Sequence, residues 1–125
     1  MTSSVTALCV ALAGGIGAVA RYLLDSAVQR RIGRIAPIGT MCVNAIGSFV
    51  LGLVTGVVVH HGVPVRAEVI LGVGFCGGLT TFSTASFEAI RLARERFGRV
   101  ALFTAVGGFS ISCATGALGL LVALV

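Results

Sequence analysis

The chain has no tryptophan and no lysine, one tyrosine, two prolines and only four acidic residues. Charged residues make up 10% of its 125 positions, against about 25% in soluble domains. Mean hydropathy is +1.09. So few charges cannot hydrate the surface of a water-soluble fold, and that class is excluded. An ordinary enzyme is excluded with it, because no nucleophile–base pair and no soluble cleft are present. All nine basic residues are arginine and the net charge is +5. They fall between long apolar runs, so they read as membrane-flanking charge attracted to anionic headgroups. They do not read as a nucleic-acid footprint, and no nucleic-acid partner is expected.

What is abundant is apolar length and glycine, with 18 of the latter. Four uncharged runs cover residues 5–20 (extending to 24 across Arg21), 35–61, 69–87 and 100–125. A spanning helix needs roughly 20 apolar residues. The runs therefore predict one integral membrane domain, 1–125, with spans at about 4–24, 36–60, 68–90 and 100–124. The first run lacks a basic start and must pack with the spans after it, so it does not read as a cleavable signal peptide. Polar connectors are expected at about 25–34, 62–68 and 91–99. Pro37 suits the first turn of the second helix, where a missing N–H costs little.

Several features have a plain packing explanation. Cys9, Cys42, Cys76 and Cys113 fall one per span. The first two lie toward opposite membrane faces, which suits small apolar packing residues better than a tetrahedral metal site. His60 and His61 end the second span and read as a solvated helix end. Gly52 with Gly56, Gly74 with Gly78, and the row Gly108, Ser112, Gly116 are spacings at which helices touch closely.

Polar residues inside the membrane need a partner or a function. Arg21 has two readings: snorkelling to the interface with an ion pair to Asp25 one turn on, or a functional role. Asn44 is mid-span; it is either helix–helix glue or an N–H donor to an anion. In the third span four glycines, Gly72, Gly74, Gly77 and Gly78, precede a dense hydroxyl run from Thr80 to Ser86. Paired glycines followed by two β-branched threonines oppose a continuous helix. A break is predicted near residues 77–81. Broken backbone at that depth survives only inside protein or against a polar cavity, and it frees carbonyls for a hard cation and N–H groups for an anion.

The strings Gly14-Gly15-Ile16-Gly17-Ala18 with Arg21-Tyr22, Pro37-Ile38-Gly39-Thr40 with Val43-Asn44 and Gly47-Ser48-Phe49 set the pattern. Gly74-Phe75-Cys76-Gly77-Gly78-Leu79-Thr80-Thr81-Phe82-Ser83-Thr84 is its most specific part. The chain resembles the fluoride-specific ion channels called Fluc or CrcB. The resemblance implies an all-α membrane protein with four transmembrane helices, the third broken mid-membrane, arranged as an antiparallel dimer with fluoride pores. It also implies a structural, untransported Na⁺ held by backbone carbonyls that map to Gly77 and Thr80. By the same resemblance Asn44, Phe82, Ser83 and Thr84 line the pore, Glu88 follows the hydroxyl track, and Arg21 is the first-span arginine. The chemistry agrees. Neutral amide and hydroxyl donors can replace fluoride's water, an aromatic edge is electropositive, and weak multiple sites permit exit.

The chain departs from the family where Ala85 stands for a second phenylalanine, and where Thr104 and Gly108 stand for a tyrosine and a serine. Phe87 lies on a different helix face. Charge is also lopsided: Arg30, Arg31, Arg34, Arg94, Arg96 and Arg99 belong to the first and third connectors, and only Arg66 to the other side. The positive-inside rule then places both termini outside a plasma membrane. One sequence so biased is expected to pair with a homologous second chain of opposite charge bias. Two other readings stand beside passive fluoride export. A non-conducting subunit is suggested by the three departures. A small multidrug exporter is opposed by the absence of tryptophan and of any acid in the first span.

Overall fold

A computed structural model describes residues 2–33 and 36–125. Arg34, one of the arginines in the charge count, lies outside the described residues. Regular structure among the described residues is helical. Helix α1 is Thr2–Ile32 and α2 is Ile38–His61. Helix α3 covers residues 65–79 and α4 is Phe82–Arg94. Helix α5 is Gly98–Val122. Helices α3 and α4 form one bent span, so four helical segments of 30, 24, 30 and 25 residues are long and apolar enough to cross a membrane.

The connectors are shorter than the polar sequence suggests. Nothing in residues 25–32 breaks a helix, and Gln29 Nε2 donates to Asp25 Oδ1 at 2.9 Å one turn back. Helix α1 therefore continues to Ile32 and stops at Gly33, whose φ of +96° suits glycine. The second connector shrinks to residues 62–64, between a left-handed Gly62 and Pro64. The third is the turn 95–97, closed by Phe97 N–H to Leu92 O at 2.9 Å and Arg96 N–H to Ala93 O at 3.3 Å. Arg96 has φ +68°, the position where this cap normally carries glycine; an L side chain there costs about 1 kcal/mol.

Large side chains point outward and small ones inward, the reverse of a soluble bundle. On α1, Val5, Leu8, Leu12, Ile16, Val19 and Leu23 are each between 60% and 63% exposed and form a lipid-facing stripe. The opposite face is small. A methyl on Gly17 would strike the Phe75 carbonyl, and one on Gly78 would strike the Gly14 carbonyl. The same closeness joins α2 to α5, where a methyl on Gly52 would meet Gly116 O and one on Gly119 would meet Phe49 O. The glycine spacings are thus packing devices. The largest fully buried side chains are Val43, Cys76, Leu79 and Leu92.

Polar pairs tie the helices further. Thr115 Oγ1 donates to Ala45 O at 2.9 Å, shared with Ser112 O at 3.1 Å. Thr55 Oγ1 donates to Glu68 Oε1 at 2.9 Å. His61 is more than a solvated helix end: its Nε2 is 2.9 Å from Ala123 O and links the ends of α2 and α5. Interhelical bonds of this kind average about 0.6 kcal/mol in membranes. Thr115→Val should therefore lower the thermal midpoint in detergent only slightly. A loss of folded protein would mean that this bond organises the bundle.

Two stretches, Val69–Cys76 in α3 and Phe103–Gly107 in α5, have the wider i→i+5 helical bonding. Such bonding is uncommon and concentrates at functional sites. Here both stretches contribute wall to the same cavity, through Gly72 and Cys76 on one side and Thr104 and Ala105 on the other.

Candidate pore site at the helix break

Helix α3 ends one step later than the glycines suggest. Gly77–Leu79 are still helical, and the chain becomes extended at Thr80 (φ −85°, ψ 158°) and Thr81 (φ −152°, ψ 122°). Glycine closeness to α1 lets α3 arrive there; the two β-branched threonines favour extended backbone at the break, and Asn44 takes the Thr81 N–H that a continued helix would use. Thr80 closes the last turn through its N–H (2.9 Å) and its Oγ1 (2.8 Å), both bonded to Cys76 O. Thr81 starts the next helix as an N-cap: its Oγ1 accepts from Thr84 N–H at 3.2 Å and donates to Thr84 Oγ1 at 3.0 Å.

The break would leave backbone groups unpaired in the membrane, and two side chains meet them. Asn44 makes a two-way clamp on Thr81, with Nδ2 donating to its carbonyl at 2.9 Å and Oδ1 accepting from its N–H at 2.7 Å. Both sequence readings of Asn44 thus have a basis. It is helix–helix glue, and one amide N–H remains for a ligand. Arg21 Nη1 reaches Thr80 O at 3.4 Å across 59 residues of sequence. Of the two sequence readings of Arg21, the ion pair to Asp25 does not form, because the guanidinium turns inward to the Thr80 carbonyl while Asp25 Oδ1 takes Gln29.

Two cavities flank the break. The larger, about 470 Å³, lies between α2, α3, α4 and α5, and Asn44, Ser48, Thr80, Thr81, Phe82 and Ser112 are among its lining residues. The smaller, about 170 Å³, lies between α1, α2 and α4 and is bounded by Arg21, Tyr22, Asp25, Thr40, Thr81 and Thr84. Thr40 and Thr81 border both. Phe82 is 84% exposed, its ring left uncovered by the described residues. Ser83 and Thr84 are exposed beside it, with Ser83 Oγ 3.4 Å from Thr81 Oγ1.

Glu88 lies one turn beyond Thr84, half-buried against Thr40, with Asp25 and Arg91 nearby. Its Oε2 is buried and takes no hydrogen bond among the described residues. Of the predicted site residues on α4, Thr84 and Glu88 stack one turn apart, whereas Phe82 and Ser83 face other directions, Phe82 toward the larger cavity and Thr84 toward the smaller. Gly77, on α3, lines the larger cavity beside Thr80 and is exposed there, with open space where a methyl would go.

Sequence reasoning assigned Ser112 to packing and gave Ser48 no role, yet both line the larger cavity. The available signal was that Ser48 follows Asn44 by one helical turn. The three departures line it too: Ala85, Thr104 and Gly108. Thr104 offers no hydroxyl there, since it is buried and its Oγ1 donates back to Val100 O at 2.7 Å. Phe87 lines neither cavity.

Comparison with known proteins identifies the family. The sequence model of "CrcB-like protein, Camphor Resistance (CrcB)" matches residues 8–123. The chain belongs to the CrcB family. A relative from Leifsonia xyli subsp. xyli, "Fluoride-specific ion channel FluC 1", is 52% identical over 113 residues, covering 90% of this chain and 82% of that one. "Fluoride-specific ion channel FluC 2" of Haloarcula marismortui is 40% identical over 120 residues, 96% and 93% of the two chains. "Fluoride-specific ion channel FluC" of Pyrococcus abyssi is 38% identical over 120 residues, 94% and 95%. CrcB membership places the chain among multi-pass membrane transport proteins rather than enzymes.

Proposed function

We propose that this CrcB chain forms part of a pore that lets fluoride leave the cytoplasm down its gradient. The observation that carries the reading is the Asn44-held break at Thr80–Thr81 opening on the larger cavity. Fluoride is small and strongly hydrated, so a pore must replace its water with donors. In the larger cavity the spare Asn44 N–H, the hydroxyls of Ser48 and Ser112, and the electropositive edge of Phe82 supply them without a full positive charge; Ser83 and Thr84, exposed beside Phe82, would continue the track outside it. Arg21 borders the smaller cavity and is turned onto Thr80 O, so the larger one stays neutral. Neutral, weak sites release an ion as readily as they accept it. Vesicles loaded with fluoride should empty when the assembled protein is added, and chloride should stay inside. Equal chloride efflux would refute selectivity.

The reading includes an antiparallel dimer. The uncovered Phe82 and the open groove favour a partner, and the arginine bias favours a second, oppositely biased homologous chain with both termini of this one outside. A C-terminal tag should then appear on one side only; comparable populations on both sides would refute fixed insertion. The resemblance also implies structural Na⁺. The Gly77 carbonyl fits: the N–H that would bond it, that of Thr81, is diverted to Asn44. Thr80 O fits as a second hard oxygen, with the Arg21 guanidinium as its competitor. Since the donors are backbone atoms, Thr80→Ser should be mild in an assembly assay. Assembly indifferent to replacing Na⁺ by a large organic cation would count against the site.

The non-conducting reading has one observation in its favour: Ala85, Thr104 and Gly108 put no donor into the cavity. Full fluoride efflux from this chain alone would dismiss it, and no efflux under any pairing would establish it.

A further inference from the structure

We propose that the turn between α4 and α5 is a binding site for the phosphate of an anionic phospholipid. Arg94, Arg96 and Arg99 lie within six residues there, all exposed, and among the described residues none has a hydrogen-bond or ion-pair partner in the chain. The neighbouring Glu95 pairs with none of them. The turn is nonetheless rigid. Phe97 N–H reaches Leu92 O and Arg96 N–H reaches Ala93 O, and Leu92 is only 1% exposed, so the cap is pinned to the packed interior.

Arg96 holds the left-handed position, φ +68°, that glycine occupies without strain. Keeping a guanidinium at a site that resists any side chain points to work done by the charge. The guanidinium fork matches the oxygens of a phosphate. Depth selects the lipid over a free anion. The turn lies at the end of a spanning segment, and Phe97, 46% exposed beside the arginines, can enter the headgroup–acyl boundary. Arg30 and Arg31, exposed at the end of α1, lie at the same end of the bundle and extend the positive field. The proposal needs only the membrane-spanning fold and is independent of what the pore carries.

The test is native mass spectrometry of the intact protein in detergent with equimolar phosphatidylglycerol and phosphatidylcholine. Phosphatidylglycerol should be retained in preference. Each neutralised arginine, Arg94→Gln or Arg99→Gln, should lower that retention about fivefold, as expected for a surface charge on an anionic membrane. Arg96→Gly separates charge from backbone: it should lose retention by the same factor while the thermal midpoint holds or rises. Equal retention of the two lipids, or unchanged retention in Arg96→Gly, would overturn the proposal. Displacement of phosphatidylglycerol by inorganic phosphate at equal concentration would reassign the site to a free anion and overturn the lipid.

Discussion

Gly78→Ala should leave little folded protein, whereas Gly77→Ala, one residue away, should fold at least as well as the parent. A methyl on Gly78 would press on the Gly14 carbonyl and approach Ala18 N at 3.1 Å, both backbone atoms of α1. Backbone cannot move aside as a side-chain tip can, so α1 and α3 would have to separate. Overpacking typically costs about 1–3 kcal/mol, and losing this close face removes the van der Waals contact that holds membrane helices together. A methyl on Gly77 meets nothing within 4 Å, and its φ of −63° is ordinary helix. There alanine gains up to about 1 kcal/mol in helix propensity. Monodisperse elution and thermal midpoint in detergent check both. Folded, stable Gly78→Ala protein would show that α1 and α3 do not approach this closely. Gly77→Ala chains that fold but fail to assemble would locate the proposed partner against the mouth of the larger cavity at Gly77.

Asn44→Asp should reduce fluoride efflux on the order of 100-fold. The substitution keeps shape and keeps the acceptor for Thr81 N–H, but it puts a carboxylate oxygen against Thr81 O where Nδ2 now donates. An unsatisfied half-buried carbonyl costs about 1–3 kcal/mol, and the new negative charge repels the anion at the same point. Asn44→Ala removes both bonds without adding charge, so it should assemble less well than Asn44→Asp yet obstruct fluoride less per assembled channel. Flux from proteoliposomes, normalised to assembled protein, separates the two effects. Parent-like flux in Asn44→Asp would remove Asn44 from the route.

Four spans and a mid-membrane interruption were legible because they rest on local chemistry: apolar length, paired glycines and two β-branched threonines in sequence. The interruption falls inside the expected range 77–81, at its far end, Thr80–Thr81. Gly77 and Gly78 look like breakers, yet both are helical, because Gly78 is spent on closeness to α1 and the turn opens only when Thr81 N–H is taken by Asn44. That bond crosses 37 residues, and the Arg21–Thr80 contact crosses 59. No spacing rule links residues so far apart. The arginine's choice of a carbonyl over nearby Asp25 followed from tertiary placement alone. The polar connectors misled for the opposite reason: Asp25 to Ile32 reads as loop by charge, yet it contains no residue that stops a helix. The track from Phe82 to Thr84 and Glu88 came from the family resemblance; helical spacing alone would have aligned Thr84 and Glu88 with the capping Thr81 and set Phe82 and Ser83 on other faces.

The tightest helix pairs have an implication for how the chain is made. Helix α1 closes against α3, and α2 against α5, through glycines that admit no side chain between them. Neither pair is consecutive in sequence. During synthesis α1 enters the bilayer with its small face bare and stays so until Gly78 emerges, and α2 waits for Gly119. A nascent chain halted after its second span presents two sticky, carbonyl-exposing faces whose proper counterparts do not yet exist. Quality control that recognises unassembled membrane helices has its longest opportunity in that interval.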